Sequence, residues 1–391
     1  MNVLFLGYAI PKEEASGLYG ASVAGNKMQI NILQELNRKK DISLDSVTLY
    51  PVAAWPHGKL FVKREKICLF DRFSSVKAAF WNIPIGKQVM QPFCVFLEAR
   101  KIIKSKHIDL ILTFNLFPEI GLAAWLLQKC YGVQSMAFLA DLPIDDTTDR
   151  RGPAVLLRRC YDRLSCRLIL KAQSLIVLNE HAAEQFAPWT PYLVVEGGID
   201  AEDIHSLPVR NKMHKTIVFA GTLTEYSGIL RLMDAMHSLK HREAVLHIYG
   251  TGQLTSLVEK KAKQAENIIY HGKISHTDLI PELENAYLLV NPRPAGDPIA
   301  QVTFPSKLFE YMLSGTPVLT TKLNGLTGDY LSKVYVVDGD SPESLGEKID
   351  EILELPEEEL KRKAESARAF VLSEKTWEKQ GDRIYQYIKK Q

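Results

Sequence analysis

The sequence predicts an α/β protein of two domains, each built on a parallel sheet with helices packed against it. Three observations predict this. Short apolar runs recur along the chain, each followed by a glycine- or proline-bearing loop and then a stretch of helical spacing. The alternation starts at Val3 and opens again at Thr216, with a polar, aperiodic stretch over 201–213 between the two series. A length of 391 residues fits two domains.

In chain order, Val3 to Gly7 is the first strand and 11–25 is a loop holding Gly17, Gly20 and Gly25. A helix over 26–38 places Met28, Ile32, Leu33 and Leu36 on one side. There is no GxGxxG, so a dinucleotide site is not indicated. Further strands are read at 46–50, 109–114, 134–139, 174–178 and 192–195, with helices over 118–127 and 150–170. Residues 55–106 set Lys59, Lys63, Arg64, Lys66, Arg72, Lys77 and Lys87 among Trp55, Phe61, Phe70, Phe73, Phe80 and Trp81. That mixture is either a surface that seats on an anionic membrane interface or a solvated face over core aromatics. The strand at 134–139 delivers Asp141, followed by Asp145, Asp146 and Asp149. Such a cluster suits a hard cation or a turn, and the turn is the preferred reading. Glu196-Gly197-Gly198 ends this series, its paired glycines allowing close backbone approach.

The second series opens with a strand at 216–220, then Gly221-Thr222-Leu223 and a helix over 228–238. The strand at 244–249 ends in Gly250-Thr251-Gly252, and the strand at 268–271 leads to Gly272-Lys273-Ile274. The apolar run 286–290 stops at Asn291-Pro292-Arg293-Pro294, because two prolines forbid a central strand. Proline suits a first helical turn, so a helix is expected from Pro305, stopped by Gly315 and Pro317. Val318 to Thr321 is the next strand. Ser306, Lys307 and Glu310 therefore stand at a helix start beyond the carboxyl end of a parallel strand, where open sheets bind ligands. A hydroxyl and a cation there favour phosphate, and Glu310 can grip a ribose diol. Asp338-Gly339-Asp340 follows a strand at 334–337 and reads as a turn, not a metal motif.

The chain carries a net charge of +2, divided as +5 over 1–213 and −3 over the remainder. A more basic first half fits an anionic partner such as lipid headgroups, and no basic stripe with interleaved aromatics points to nucleic acid. Five cysteines, at 68, 94, 130, 160 and 166, have no zinc or redox spacing and read as free thiols of a reducing cytoplasm. The opening MNVLFLGYAI reads as a buried strand, not a signal peptide, and no apolar run reaches membrane-spanning length.

The stretch FPSKLFEYMLSGTPV resembles the donor-site helix of GT-B glycosyltransferases, especially the retaining glycosyltransferase family four of bacterial surface-polysaccharide pathways. The resemblance extends over most of 214–391. It implies an α/β GT-B fold of two Rossmann-like domains facing across a cleft. Residues 1–205 would form the acceptor domain and 214–375 the donor domain, with a helix over 376–391 crossing back onto the first. It implies transfer of a sugar, with retention and without a metal or other cofactor, from a nucleotide sugar (UDP-linked by expectation) to a glycan or lipid-linked acceptor. The enzyme would be cytoplasmic and peripheral on the inner membrane face. Glu310 matches the ribose-binding Glu of the family. Around it Phe304, Pro305, Ser306, Asp297, Gly221, Thr222, Gly250, Gly252, Lys273 and Ile274 are the implied donor contacts. Gly20, Ala21, Glu196, Gly197 and Gly198 are the implied cleft residues of the first domain, and Asp141 the implied acceptor-side catalytic group.

Two departures stand out. The family's second Glu, eight residues before the first, is Val302 here, and the loop after the strand at 216–220 lacks the usual Arg and Lys that neutralise a diphosphate. Arg293 and Lys307 are the expected substitutes, as catalytic cations. Rival readings are a nucleotide-sugar 2-epimerase, a non-catalytic subunit of a glycosyltransferase, and a nicotinamide-dependent oxidoreductase.

Overall fold

The computed structural model describes every residue except 16, 19–21, 72, 145–151 and 205–214. Most of the linker expected over 201–213, and Gly20, Ala21, Asp145, Asp146 and Asp149, lie outside the described residues. The chain divides into two compact units, Met1–Glu196 with Gly381–Gln391, and Gly197–Gln380.

In the first unit the strands are β1 (Asn2–Gly7), β2 (Ser43–Thr48), β3 (Phe61–Val62), β4 (Glu65–Phe70), β5 (Phe73–Lys77), β6 (Phe80–Trp81), β7 (Leu110–Phe114), β8 (Gln134–Leu139), β9 (Ser174–Val177) and β10 (Tyr192–Val194). Eight of them form one sheet in the order β10-β9-β8-β7-β1-β2-β5-β4, parallel except for β4 against β5, and β3 pairs with β6 apart from it. The helices are α1 (Lys12–Ala15), α2 (Val23–Asn37), α3 (Gly86–Ser105), α4 (Pro118–Tyr131), α5 (Pro153–Ile169) and α6 (Glu180–Phe186). Val3 to Leu6 are all buried, as a strand covered on both faces requires. Ser22 caps α2 by accepting from the Gly25 amide, and α4 opens on Pro118 and ends at Gly132 with φ +69°. The end of the chain belongs here too. Gly381 lies flush against Glu35, Asp382 pairs with Lys39, and Tyr385 and Lys389 both donate to Asp41.

The second unit has β11 (Thr216–Ala220), β12 (Val245–Tyr249), β13 (Ile268–Gly272), β14 (Leu288–Asn291), β15 (Val318–Thr321) and β16 (Tyr335–Val337), all parallel, in the order β13-β12-β11-β14-β15-β16. This is the doubly wound order in which the winding reverses between the first and fourth strands, here β11 and β14. Its helices are α7 (Ile229–Ser238), α8 (Thr255–Ala262), α9 (His276–Asn285), α10 (Pro298–Val302), α11 (Lys307–Leu313), α12 (Gly328–Leu331), α13 (Pro342–Leu353), α14 (Glu357–Glu374) and the start of α15 (Trp377–Lys390). Ile217, Phe219, Leu232, Leu246, Val290 and Ile349 share the core on one side of the sheet.

The stretch 55–106, left open between a membrane-seating surface and a solvated face over core aromatics, folds into β3 to β6 and the 20-residue α3, with Phe73 and Phe80 buried and Trp55, Phe61 and Trp81 exposed. Two expectations are corrected. The loop before the donor helix contains α10, because Asp297 caps it and Pro298 opens it, and the following helix begins at Lys307 instead of Pro305. Gly197 and Gly198, expected on the first domain, fall in the second unit, where Gly198 packs against Trp377 and Ile199 pairs with Thr376.

Backbone packing at the head of α7 sets a testable constraint. Gly228 has φ +73°, and a Cβ there would overlap the Pro292 carbonyl oxygen. Gly228→Ala is expected to cost about 2–4 kcal/mol, from left-handed strain and the overlap together. The denaturant midpoint should fall with an unchanged slope; a midpoint equal to the parent's would show that the two loops are not in contact.

Candidate functional site

The carboxyl ends of β11 and β14 meet at the point where the second sheet reverses its winding. Glycines let the loops there interlock. A Cβ on Gly250 (φ +131°) would strike the Gly221 carbonyl, and one on Gly252 would strike the backbone of Leu223. The space at Gly250 and Gly252 is thus filled by the 221–223 backbone.

Arg293 and Lys307 reach this loop from two other elements. Arg293 follows β14, donates through Nη1 to Thr303 Oγ1 at 3.0 Å, and lies 5.3 Å over the Tyr226 ring. Lys307, the first residue of α11, sits directly over Gly221, where only a missing Cβ leaves room for its Nζ. Burial pulls the Lys307 ammonium down to about 8; Glu310 opposes that shift and the neighbouring Arg293 charge adds to it. Burial likewise lowers Arg293 from its ordinary value, opposed by Tyr226 and Asp297. Two cations therefore share a partly desolvated space beside the 221–228 loop.

Each is held from behind. The Tyr311 hydroxyl, fully buried, accepts from the Ala220 amide at 2.8 Å and donates to the Ala220 carbonyl at 3.1 Å. Tyr311 is one turn after Lys307, so this double bond fixes α11 against the end of β11 and fixes where Lys307 emerges. The loop bearing Arg293 is fixed by Arg231, a residue the sequence reading missed. Its guanidinium donates to the carbonyls of Pro292, Gly339 and Ser341 and to Thr321 Oγ1, at 2.7–3.3 Å. Asp340 completes the clamp by accepting from the Ala295 and Gly296 amides, both at 2.8 Å. The Asp338-Gly339-Asp340 segment bends after β16, with Gly339 at φ +98°.

The other expected donor contacts are distributed differently. Glu310 is partly exposed in a shallow pocket with Leu279 and Leu283, its Oε1 3.7 Å from His276 Nε2. Ser306 is exposed and makes no capping bond with its hydroxyl. Asp297 spends Oδ1 on the Ile299 and Ala300 amides. Phe304 and Pro305 are buried, Phe304 stacked on Phe309 at 4.9 Å, so those side chains pack in the core. Val302 is also buried. Thr222 lies in the 221–228 loop, and Lys273 and Ile274 lie beyond β13, with Lys273 exposed.

The first unit has its own recess at the corresponding edge, a cavity of about 1070 Å³. Tyr8 follows β1, Asn115 follows β7 and Asp141 follows β8. Asn115, at φ +59°, accepts from the Ala140 and Asp141 amides and donates to Asp141 Oδ2 at 3.0 Å. Solvent reaches Asp141, but the surrounding walls desolvate it and raise its carboxyl above the ordinary value, against the Asn115 hydrogen bond. Glu119, also missed by the sequence reading, accepts from the hydroxyls of Tyr8 (3.2 Å) and Tyr161 (2.9 Å). Glu196 is buried, with Arg383 3.9 Å away. Among the described residues no group of three or more His, Cys, Asp or Glu side chains is placed to hold a metal ion, and no helix is long and apolar enough to cross a membrane.

Comparison with known proteins bears on the fold and on the second unit. Residues 214–355 match the family model described as glycosyl transferases group 1. No curated protein sequence matches the chain. Among solved structures, the chain is similar to sucrose-phosphate synthase from Thermosynechococcus elongatus, with a TM-score of 0.69 at 16% identity over 100% of this chain and 99% of that one. It is similar to HepE of Anabaena in complex with UDP-glucose, with a TM-score of 0.66 at 13% identity over the whole of both chains. It is also similar to the lipopolysaccharide outer core galactosyltransferase WaaB, with a TM-score of 0.71 at 12% identity, again over the whole of both. The fold is GT-B, with two Rossmann-like units.

The Tyr311 anchor can be removed cleanly. Tyr311→Phe leaves the buried Ala220 amide without its hydroxyl partner and should lower stability by about 1–3 kcal/mol. Tyr311→Phe thermal melts that coincide with the parent's would show that the hydroxyl does not hold α11.

Proposed function

We propose that the protein transfers a sugar from a nucleotide sugar to an acceptor. The observation that carries this reading is the convergence of Arg293 and Lys307 on the 221–228 loop, at the winding reversal of a domain that matches the glycosyl transferases group 1 model. A diphosphate leaving group gains negative charge as its bond to the sugar breaks, and preorganised cations stabilise that charge most in the transition state. Lys307, crowded by Arg293 and by burial, gains the most from an arriving anion. Glu310, partly exposed one turn along the same helix, is assigned the ribose diol. UDP is the proposed carrier, transfer proceeds with retention and without a metal, and the setting is surface-polysaccharide synthesis. The acceptor binds the first unit. One feature favours a second reading, a non-catalytic partner subunit: the buried Val302 stands where the related enzymes carry a second Glu.

A thermal-shift series with UDP, GDP, dTDP, ADP and CMP tests the first step, since a tight ligand stabilises the folded state with the logarithm of its concentration. UDP should give the largest shift, and no shift with any nucleotide would end the proposal. Incubation with UDP-sugars and product analysis separates transferase from inert subunit.

Lys307→Ala should lower kcat about 10²-fold or more while raising donor KM less. Because Lys307 loses its proton near pH 8, kcat/KM for the donor should fall as pH rises through about 8. Lys307→Arg, which holds its proton across this range, should remove that limb. A near-normal Lys307→Ala enzyme would take the lysine out of the mechanism.

The first unit is assigned a peripheral place on an anionic membrane surface. Trp55 and Trp81 are about half exposed, and the exposed Lys59, Lys63 and Lys66 lie between them in the sequence. The protein should sediment with phosphatidylserine vesicles better than with phosphatidylcholine ones, and less so in high salt. Equal partitioning would make this stretch ordinary surface.

A further inference from the structure

The cavity of the first unit is not explained by a simple glycan. At about 1070 Å³ it stands at the upper end of small-molecule pockets, roughly 300–1,000 Å³. Its walls are apolar: Ile85, Val89 and Phe93 come from the head of α3, Phe117 from the head of α4, and Leu157 and Leu164 from α5. Ile85, Val89, Phe93 and Leu157 are each more than half exposed, although large apolar side chains are normally buried. Its polar lining is different. There the Glu119 carboxylate is braced by Tyr8 and Tyr161, and the Asp141 carboxyl is braced by Asn115. The cations that line the cavity are engaged: Lys87 donates to the Val52 carbonyl at 3.0 Å and Arg158 to Asp162 at 2.9 Å. The polar lining therefore offers carboxylate oxygens as hydrogen-bond acceptors, while both lining cations are already hydrogen-bonded.

We propose that this cavity binds a single amphiphile, with an alkyl or aryl portion against the α3 and α5 walls and an uncharged, hydroxyl-bearing head on Glu119 and Asp141. Under the sugar-transfer reading, on which this assignment rests, that amphiphile is the acceptor, and its apolar part is what selects it. Glu119 is a specificity-determining residue. Its two tyrosine donors fix the carboxylate, so a hydroxyl meets a preplaced acceptor while a phosphate meets a negative charge.

The test is titration calorimetry of the full chain with n-alkyl β-D-glucosides below their micelle-forming concentrations. Methyl glucoside should not bind measurably. From hexyl to nonyl, affinity should rise about fourfold per methylene, the increment for burying one such group. Octyl phosphate should bind at least tenfold more weakly than octyl glucoside, and Glu119→Gln should narrow that gap. Leu157→Asp, at an exposed wall position where folding tolerates charge, should weaken octyl glucoside at least tenfold with an unchanged melting temperature. Equal binding of methyl and octyl glucosides, or octyl phosphate binding as tightly as the glucoside, would overturn the assignment. UDP-induced thermal shifts on the same samples keep the two ideas apart. A chain-length dependence without any nucleotide shift supports the cavity while removing the transferase reading. A nucleotide shift without chain-length dependence overturns the cavity assignment alone.

Discussion

One interaction organises the second unit's edge, the Tyr311 hydroxyl shared between the amide and carbonyl of Ala220. A side chain that satisfies both polar groups of a single strand residue leaves a helix almost no freedom to slide or turn. Both partners are buried, so the alternative is unsatisfied backbone in a low-dielectric interior. The consequence appears one turn earlier, where Lys307 emerges over Gly221. The charge is placed by a hydrogen bond between neutral groups one turn along the helix.

The same economy holds on the other side of the loop. Arg231 is a cation spent wholly on structure, gathering carbonyls from the ends of β14 and β16 so that Arg293 emerges in one place. Asp340 holds the two amides that follow. Glycines at 228, 250 and 252 close the assembly by letting backbone touch backbone. A site made of loops thereby acquires the rigidity of the sheet on which it stands.

Much of this architecture was legible in the sequence. The strands at 216–220, 318–321 and 134–139 match their expected bounds because each is a short apolar run closed by turn residues, and a buried parallel strand has no other pattern. Local stops also read truly: Pro118 opens α4, and Gly315 with Pro317 ends α11. What was not legible depends on contacts distant in sequence. Arg231 sits in an amphipathic helix and looks like a solvated cation until the end of β16, more than a hundred residues on, folds over it. Glu119 reads as an ordinary acidic residue of a first helical turn, and only the approach of Tyr8 and Tyr161 from other elements gives it a role. Phe304 stands in the donor-helix motif, and its side chain packs on Phe309 and Tyr330, contacts the motif alone does not announce. A motif fixes the backbone path more firmly than it fixes which side chains face outward.

The absence of basic residues from 222–227 takes on a different meaning in this light. At a winding reversal the ends of two strands diverge, and loops from several elements crowd the space between them. A cation can enter that space from the loop after β11, from the loop after β14, or from the head of α11, and the field it produces depends on its final position alone. Here Tyr226 supplies a ring under Arg293 and Gly221 supplies a vacancy for Lys307, so the loop without charges of its own is shaped to receive those of its neighbours. Glycine at 221 and an aromatic residue at 226 are therefore not neutral fillers. A lysine or arginine introduced into this loop would compete with Lys307 and Arg293 for the same space and raise the repulsion that already lowers the Lys307 pKa. Positive charge at this edge is opposed by mutual repulsion as well as by burial, and both already act on Lys307.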